Sequence, residues 1–152
     1  MAECETAEAG QTLSLNIGGT SLPVYGPPLS GEFELLGCYD GQFTDMRVRH
    51  GGFTHYDQGR SAVVRKDGLT ILLNSRRIPP FSTGQLTSCD LDPKQFKIMA
   101  AKGVHAPLAA YEEFCERFMR VNTPGVTTAD LSQLEYHERR RPLYPFEEVE
   151  PN

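Results

Sequence analysis

Ser61-Ala-Val-Val-Arg-Lys-Asp-Gly-Leu-Thr-Ile-Leu-Leu-Asn-Ser75 is the stretch whose reading decides the fold. Two aliphatic, partly β-branched runs flank Asp67-Gly68, and that dipeptide supplies at low cost the two positive φ angles of a tight hairpin turn. The stretch therefore predicts strands over 61–66 and 69–75, paired antiparallel.

Upstream, Glu32–Tyr39 predicts another strand, Asp40-Gly41 a second hairpin turn, and Gln42–Val48 the strand that returns beside it. Thr12-Leu-Ser-Leu-Asn-Ile17 alternates polar and apolar residues with period two, the pattern of a half-buried strand, and Gly18-Gly19 closes it. Pro23 and Gly26-Pro27-Pro28 hold the connecting backbone extended. Ala2–Ala9 reads as the last turn of a helix ending at Gly10. A helix that short is marginal alone, which suggests a chain that starts inside an element begun elsewhere.

Downstream, residues 82–89 predict a short helix with Ser82 as N-cap, and Asp92-Pro93 predicts a turn. Phe96–Ala101 reads as a strand. Leu108, Tyr111, Phe114, Cys115 and Phe118 recur at helical spacing behind Pro107, which a first helical turn tolerates. Met119–Asn122 reads as a returning strand. Hairpins interleaved with two or three short helices predict an α+β fold with a mixed, largely antiparallel sheet. The organisation expected is a helix remnant over 1–10, one domain over 11–146 and an acidic tail over 147–152.

Composition bounds the function. The 152 residues are 39% hydrophobic with no tryptophan, 14 glycines and 11 prolines, which predicts many turns around a modest core. No run approaches the roughly 20 apolar residues that span a membrane. The N-terminus is acidic where a signal peptide is basic, so the cytoplasm is the default compartment. A net charge of -5 disfavours nucleic acid, whose backbone is bound by clustered lysine and arginine. Arg139-Arg140-Arg141 lies among Glu135, Glu138, Glu147 and Glu148 and reads as a solvated or internally paired strip. The cysteines at 4, 38, 89 and 115 have no metal spacing and read as small buried thiols.

Three groups of residues are candidates for chemistry. His50 and His55 frame a glycine-rich loop near Asp57, a pattern open either to a divalent metal or to a solvated loop. Lys102 and His105 lie between a predicted strand and a predicted helix, where they suit an anion or a carbonyl oxygen, or merely cap those elements. They are the candidate catalytic pair. Arg76 and Arg77, ahead of two prolines, are candidate substrate-binding residues, because a guanidinium held at a rigid turn binds carboxylates bidentately. The carboxylate is either a ligand's or one of the chain's own. No HExxH, P-loop or dinucleotide fingerprint is present.

Gly18-Gly19 after a strand, Ser75-Arg-Arg with a following Pro-Phe, Leu91-Asp-Pro93, Lys102-x-x-His105 with Ala109, Pro124-Gly125, Asp130-Leu-Ser132, Tyr136 and Arg141-Pro-Leu-Tyr-Pro145 occur in one characteristic order. In that order, over about residues 10–146, the chain resembles the C-terminal domain of the MlrC (microcystinase C) family of zinc metallopeptidases.

The resemblance implies a two-part protein. A larger N-terminal domain supplies Asp and His ligands to zinc, and the C-terminal domain completes the structure beside the cleft. This sequence lacks that domain and the Asp-Asn-Pro-Gly-Gly-Gly-like segment expected ahead of the match. Zinc is thus implied for the full-length family and no cofactor for this chain. The implied role is the C-terminal portion of a zinc-dependent peptidase or hydrolase, inactive alone, with a non-catalytic binding or structural module, or relic, as the alternative. The expected partner is a zinc-binding N-terminal domain on a separate chain, or further copies in a homo-oligomer, with neither nucleic acid nor membrane involved.

Overall fold

The computed structural model describes residues 1–19, 26–47, 52–103, 105–121, 123, 130–131 and 134–148. The chain forms two compact units, Met1–Phe118 and Met119–Asn152. Among the described residues the first unit holds strands β1 (Thr12–Ile17), β2 (Leu29–Tyr39), β3 (Gln42–Thr44), β4 (His55–Asp57), β5 (Ser61–Lys66) and β6 (Leu69–Asn74). It also holds short helices α1 (Ala2–Glu5), α2 (Gly84–Thr87) and α3 (Ala106–Tyr111) and a 3-10 turn, Pro93–Gln95. Both sheets are antiparallel, one ordered β1-β2-β5-β6 and one made of β3 and β4. The fold is α+β, as the patterning predicts.

The Asp67-Gly68 hairpin forms as read, with φ of 48° and 82° at its two turn residues and Lys66 opposite Leu69. Strand β1 also matches its predicted span. Alternation then assembles the core: Leu15, Phe33, Leu35, Ala62 and Val64 are buried on one face, with Leu13, Ile17, Ile71 and Leu73 at its margin. The N-terminal segment around α1 covers that face, with Cys4 from the helix and Met1 and Ala7 from its flanks. β2 runs past β1 from 29 to 34 and past β5 from 34 to 39, and a bulge at Leu36 shifts its register between them. The extra residue sets Cys38 opposite Ala62, and its thiol donates to the Cys4 carbonyl at 3.2 Å.

Several expectations fail where pairing is non-local. Gln42–Thr44 does not return beside β2, because β5 already occupies that edge, with Tyr39 opposite Ser61. Instead Asp40 Oδ1 accepts the Gln42 N–H and Gly41 turns the chain away to pair with β4. Phe43 and Tyr56 stack across that pair at 5.0 Å. Val48 lies outside the described residues, as do Pro23 and Asn122.

The predicted helix over Ala2–Ala9 stops at Glu5, since Gly10 and Gln11 are drawn into hydrogen bonds with Leu35. Phe96–Ala101 forms no strand: Phe96 and Met99 are only half-buried, and Ile98 is 78% exposed. The Asp92-Pro93 turn forms, with Asp92 Oδ1 accepting from Lys94 N–H. The helix expected over Leu108–Phe118 is α3, earlier and shorter, followed by turns at Phe114 and Cys115. Met119–Val121 is not a strand. No helix among the described residues is long and apolar enough to cross a membrane.

In the second unit Arg139 lies over the Phe146 ring at 4.6 Å and both its Nη atoms meet the Glu147 carboxylate. Tyr136 contacts the other aromatic edge-on at 5.0 Å. Arg139 is thus internally paired, one of the two readings of the Arg-rich strip.

Gly41 has a φ of +72°, and a Cβ there would fall 1.8 Å from the Gly59 carbonyl oxygen. Gly41→Ala is expected to lower unfolding stability by about 3 kcal/mol or more, combining backbone strain with displacement of a packed loop. Urea denaturation of the variant beside wild type measures it.

Candidate functional site

The first assembly is an open cleft of about 700 Å³ where the end of β2, the β4–β5 loop and the corner after β6 converge. The corner exists because Gly59, at φ +67°, lets residues 58–60 pass beneath it; a Cβ would lie 2.3 Å from Ser75 Oγ. Backbone bonds lock the crossing, with Ser75 N–H donating to Arg60 O at 2.9 Å and Arg76 N–H to Gln58 O at 3.1 Å. Tyr39, Asp40, Asp57, Arg60, Ser61 and Arg76 are among the lining residues.

Each arginine in the cleft already holds a carboxylate. Arg76 Nη1 pairs with Asp57 Oδ2, and Arg60 Nη1 pairs with Glu5 Oε2 at 2.7 Å. Tyr39 donates to Asp90 Oδ2 at 3.1 Å; burial, reinforced by that hydrogen bond and charge, pushes its phenol up to about 12. Ser61 Oγ is buried and turned toward Gly59 O and Asn74 Oδ1, each at 3.0 Å. The arrangement suits polar recognition rather than nucleophilic attack. No histidine lies among the described residues that line it.

The second assembly centres on Asp45, which is 8% exposed. Its Oδ1 accepts from Arg47 N–H and Nε at 3.0 and 2.9 Å; its Oδ2 accepts from Arg47 Nη2 at 2.9 Å and Ser82 Oγ at 2.5 Å. Arg47 Nη2 also donates to Thr83 Oγ1 at 2.9 Å, while Nη1 reaches Glu113 at 3.5 Å. One carboxylate thereby ties the end of β3 to the start of α2. The Arg47 guanidinium holds the Asp45 carboxyl well below the usual carboxylate range, with Ser82 and the Arg47 backbone adding to it against the opposing push of burial. This cluster escapes the sequence reading. Its only local signal is Asp45-x-Arg47, whose meaning depends on Ser82 and Thr83 arriving from 37 and 36 residues away.

Of the residues singled out from sequence, Arg76 lines the cleft and Arg77 is exposed beyond it. Lys102 and His105 are exposed and do not line the cleft. His105 stands at the N-cap of α3, where its carbonyl accepts from Leu108 N–H but its ring makes no capping bond. His55 is on β4, its Nδ1 2.9 Å from Thr54 Oγ1, while Asp57 serves Arg76 and the Gly59 N–H. His50 lies outside the described residues. Among the described residues no group of three or more His, Cys, Asp or Glu is gathered to hold a metal ion.

The MlrC C-terminus family matches residues 1–138 of this chain. The chain belongs to that family. Its fold is similar to the crystal structure of a protein titled "putative metallopeptidase" from Mesorhizobium sp. BNC1, with a TM-score of 0.81 at 19% identity. That similarity covers 99% of this chain and 30% of the Mesorhizobium chain. No curated protein matches the sequence. The cleft and the Asp45 cluster both lie inside the family-matched stretch.

Asp45 yields a pH prediction. Its carboxyl titrates lower folded than unfolded, so its stabilisation is full above the unfolded value of about 3.9 and is lost as pH falls through the folded one. Asp45→Asn is expected to cost about 2 kcal/mol at pH 7, because it removes the charge facing Arg47 and turns one of the two accepting oxygens into an amide NH2 that cannot accept. The gap between wild type and variant, followed by urea unfolding, should narrow as pH drops below about 4.

Proposed function

We propose that this chain is the C-terminal portion of an MlrC-like zinc-dependent peptidase or amide hydrolase, acting in the cytoplasm and inactive until joined by a zinc-binding N-terminal domain. One observation carries the reading: a family match over residues 1–138, in a fold that accounts for 99% of this chain but 30% of the larger neighbour. The described residues gather no zinc ligand set, so no catalytic step is assigned to them. In this reading the metal and its ligands belong to the partnering polypeptide, and this chain contributes the polar cleft around Arg76.

A second reading, a non-catalytic binding or structural module, is favoured by one feature of the cleft. Arg76 and Arg60 are neutralised by Asp57 and Glu5 rather than left to receive a ligand.

Co-expressing this chain with the zinc-binding N-terminal domain of an MlrC-like protein tests the first reading. The expected outcome is a stoichiometric complex that carries zinc and hydrolyses peptides, with the isolated chain doing neither. Zinc-dependent hydrolysis by the chain alone, or failure of the two chains to associate, would overturn it.

Alanine at Lys102 and His105 separates function from scaffolding. Both are exposed, so the thermal and urea stabilities should stay within about 0.5 kcal/mol of wild type. Weakened partner or peptide binding at unchanged stability supports a role in the assembled site, whereas lost stability assigns them to the scaffold.

A further inference from the structure

Among the described residues the four-stranded sheet ends at β6, and no further strand pairs with the outer edge of that strand. In a two-residue hairpin the residues flanking the turn exchange both backbone bonds, so Leu69, Ile71 and Leu73 face β5 while Thr70, Leu72 and Asn74 present N–H and C=O outward. The bond from Ser75 N–H to Arg60 O continues the same alternation. Among the described residues no backbone group bonds to the outward positions. Leu69–Asn74 contains no charge, proline or bulge, the devices that ordinarily keep an edge from pairing, and Leu69 is 49% exposed.

The edge is self-complementary about Leu72. Antiparallel pairing with a second copy on that axis sets Leu72 opposite Leu72 and Thr70 opposite Asn74 on one face, with Ile71 opposite Leu73 on the other. Ile71 and Leu73 already border the core of Phe33, Leu35, Ala62 and Val64, so the pairing extends an apolar face instead of burying a charge. The strand ends match in charge as well. The exposed Asp67 turn of each copy comes to the Arg76-Arg77 corner of the other, and Arg77 belongs to no ion pair among the described residues. We propose that the chain forms a two-fold dimer through β6, joining two four-stranded sheets edge to edge into one.

Light scattering of the full chain after gel filtration is expected to give twice the 16.9 kDa chain mass at micromolar concentration. Thr70→Pro removes an outward N–H without touching the ladder to β5, and Leu72→Lys sets like charges against each other on the axis. Each should return the mass to that of one chain while circular dichroism stays that of the folded protein. Should either variant fail to fold, Arg77→Glu on the surface is the second probe, expected to weaken the dimer because it places acid against Asp67. A wild type of single-chain mass, or a dimer unaffected by these substitutions, would overturn the proposal. If the zinc-domain polypeptide takes the edge instead, the chain alone will be monomeric and Thr70→Pro will abolish the mixed complex. That result overturns self-pairing and leaves the proposed function standing.

Discussion

Ala62, Val63 and Val64 are withdrawn from water on both faces of β5, and the first unit is arranged around keeping them so. Burying each valine stabilises by about 1.5–3 kcal/mol, but one sheet face alone can cover only every second residue. β2 and β6 must therefore flank β5, and each face needs its own cover. On the side of Ala62 and Val64 that cover is α1, held down by the Gly10–Leu35 and Cys38–Cys4 hydrogen bonds. The Leu36 bulge decides which residue stands beside Ala62. Without the extra residue Gly37, which offers no side chain, would stand opposite Ala62 in place of Cys38.

What was legible in the sequence is what is local. The Asp67-Gly68 hairpin and the period-two strand Thr12–Ile17 each carry their pattern within a few residues, and both form as read. Gln42–Thr44 shows why the rest was not. Its turn signal is genuine, but which strand it joins is decided by β5 competing for the edge of β2, and β5 brings aliphatic residues on both faces. Phe96–Ala101 fails for the converse reason: strand propensity with its apolar side chains only half-buried or exposed leaves the ladder unformed. At the cleft, the Ser75-Arg76-Arg77 corner announces Arg76, whereas Asp57, which neutralises it, is identifiable only once Gly59 lets the two segments cross.

Four arginines of the first unit share one arrangement. Arg47, Arg60, Arg65 and Arg76 each pair with one of the chain's own carboxylates, so an acidic protein presents little free positive charge along the cleft. A ligand carboxylate at Arg76 has to displace Asp57, exchanging one charge-assisted bond for another, and gains affinity only from contacts Asp57 does not make. Binding there would select by the remainder of the ligand more than by its charge.

The second unit solves a different problem, since a piece as short as Met119–Asn152 cannot bury enough apolar surface to order itself by a core alone. Its described part is organised around Phe146, with the Arg139 guanidinium on its face and Tyr136 meeting it edge-on. Glu147 then fixes the guanidinium through both nitrogens while accepting the Leu143 N–H, and these bonds, Arg139 foremost, hold its carboxyl down at about 2. A lysine could supply the charge but neither the flat stacking surface nor the two-pronged bond. The Arg-rich run reads as a solvated or internally paired strip, and Arg139 is the residue within it that the tail uses to hold itself together, while Arg140 and Arg141 stay exposed.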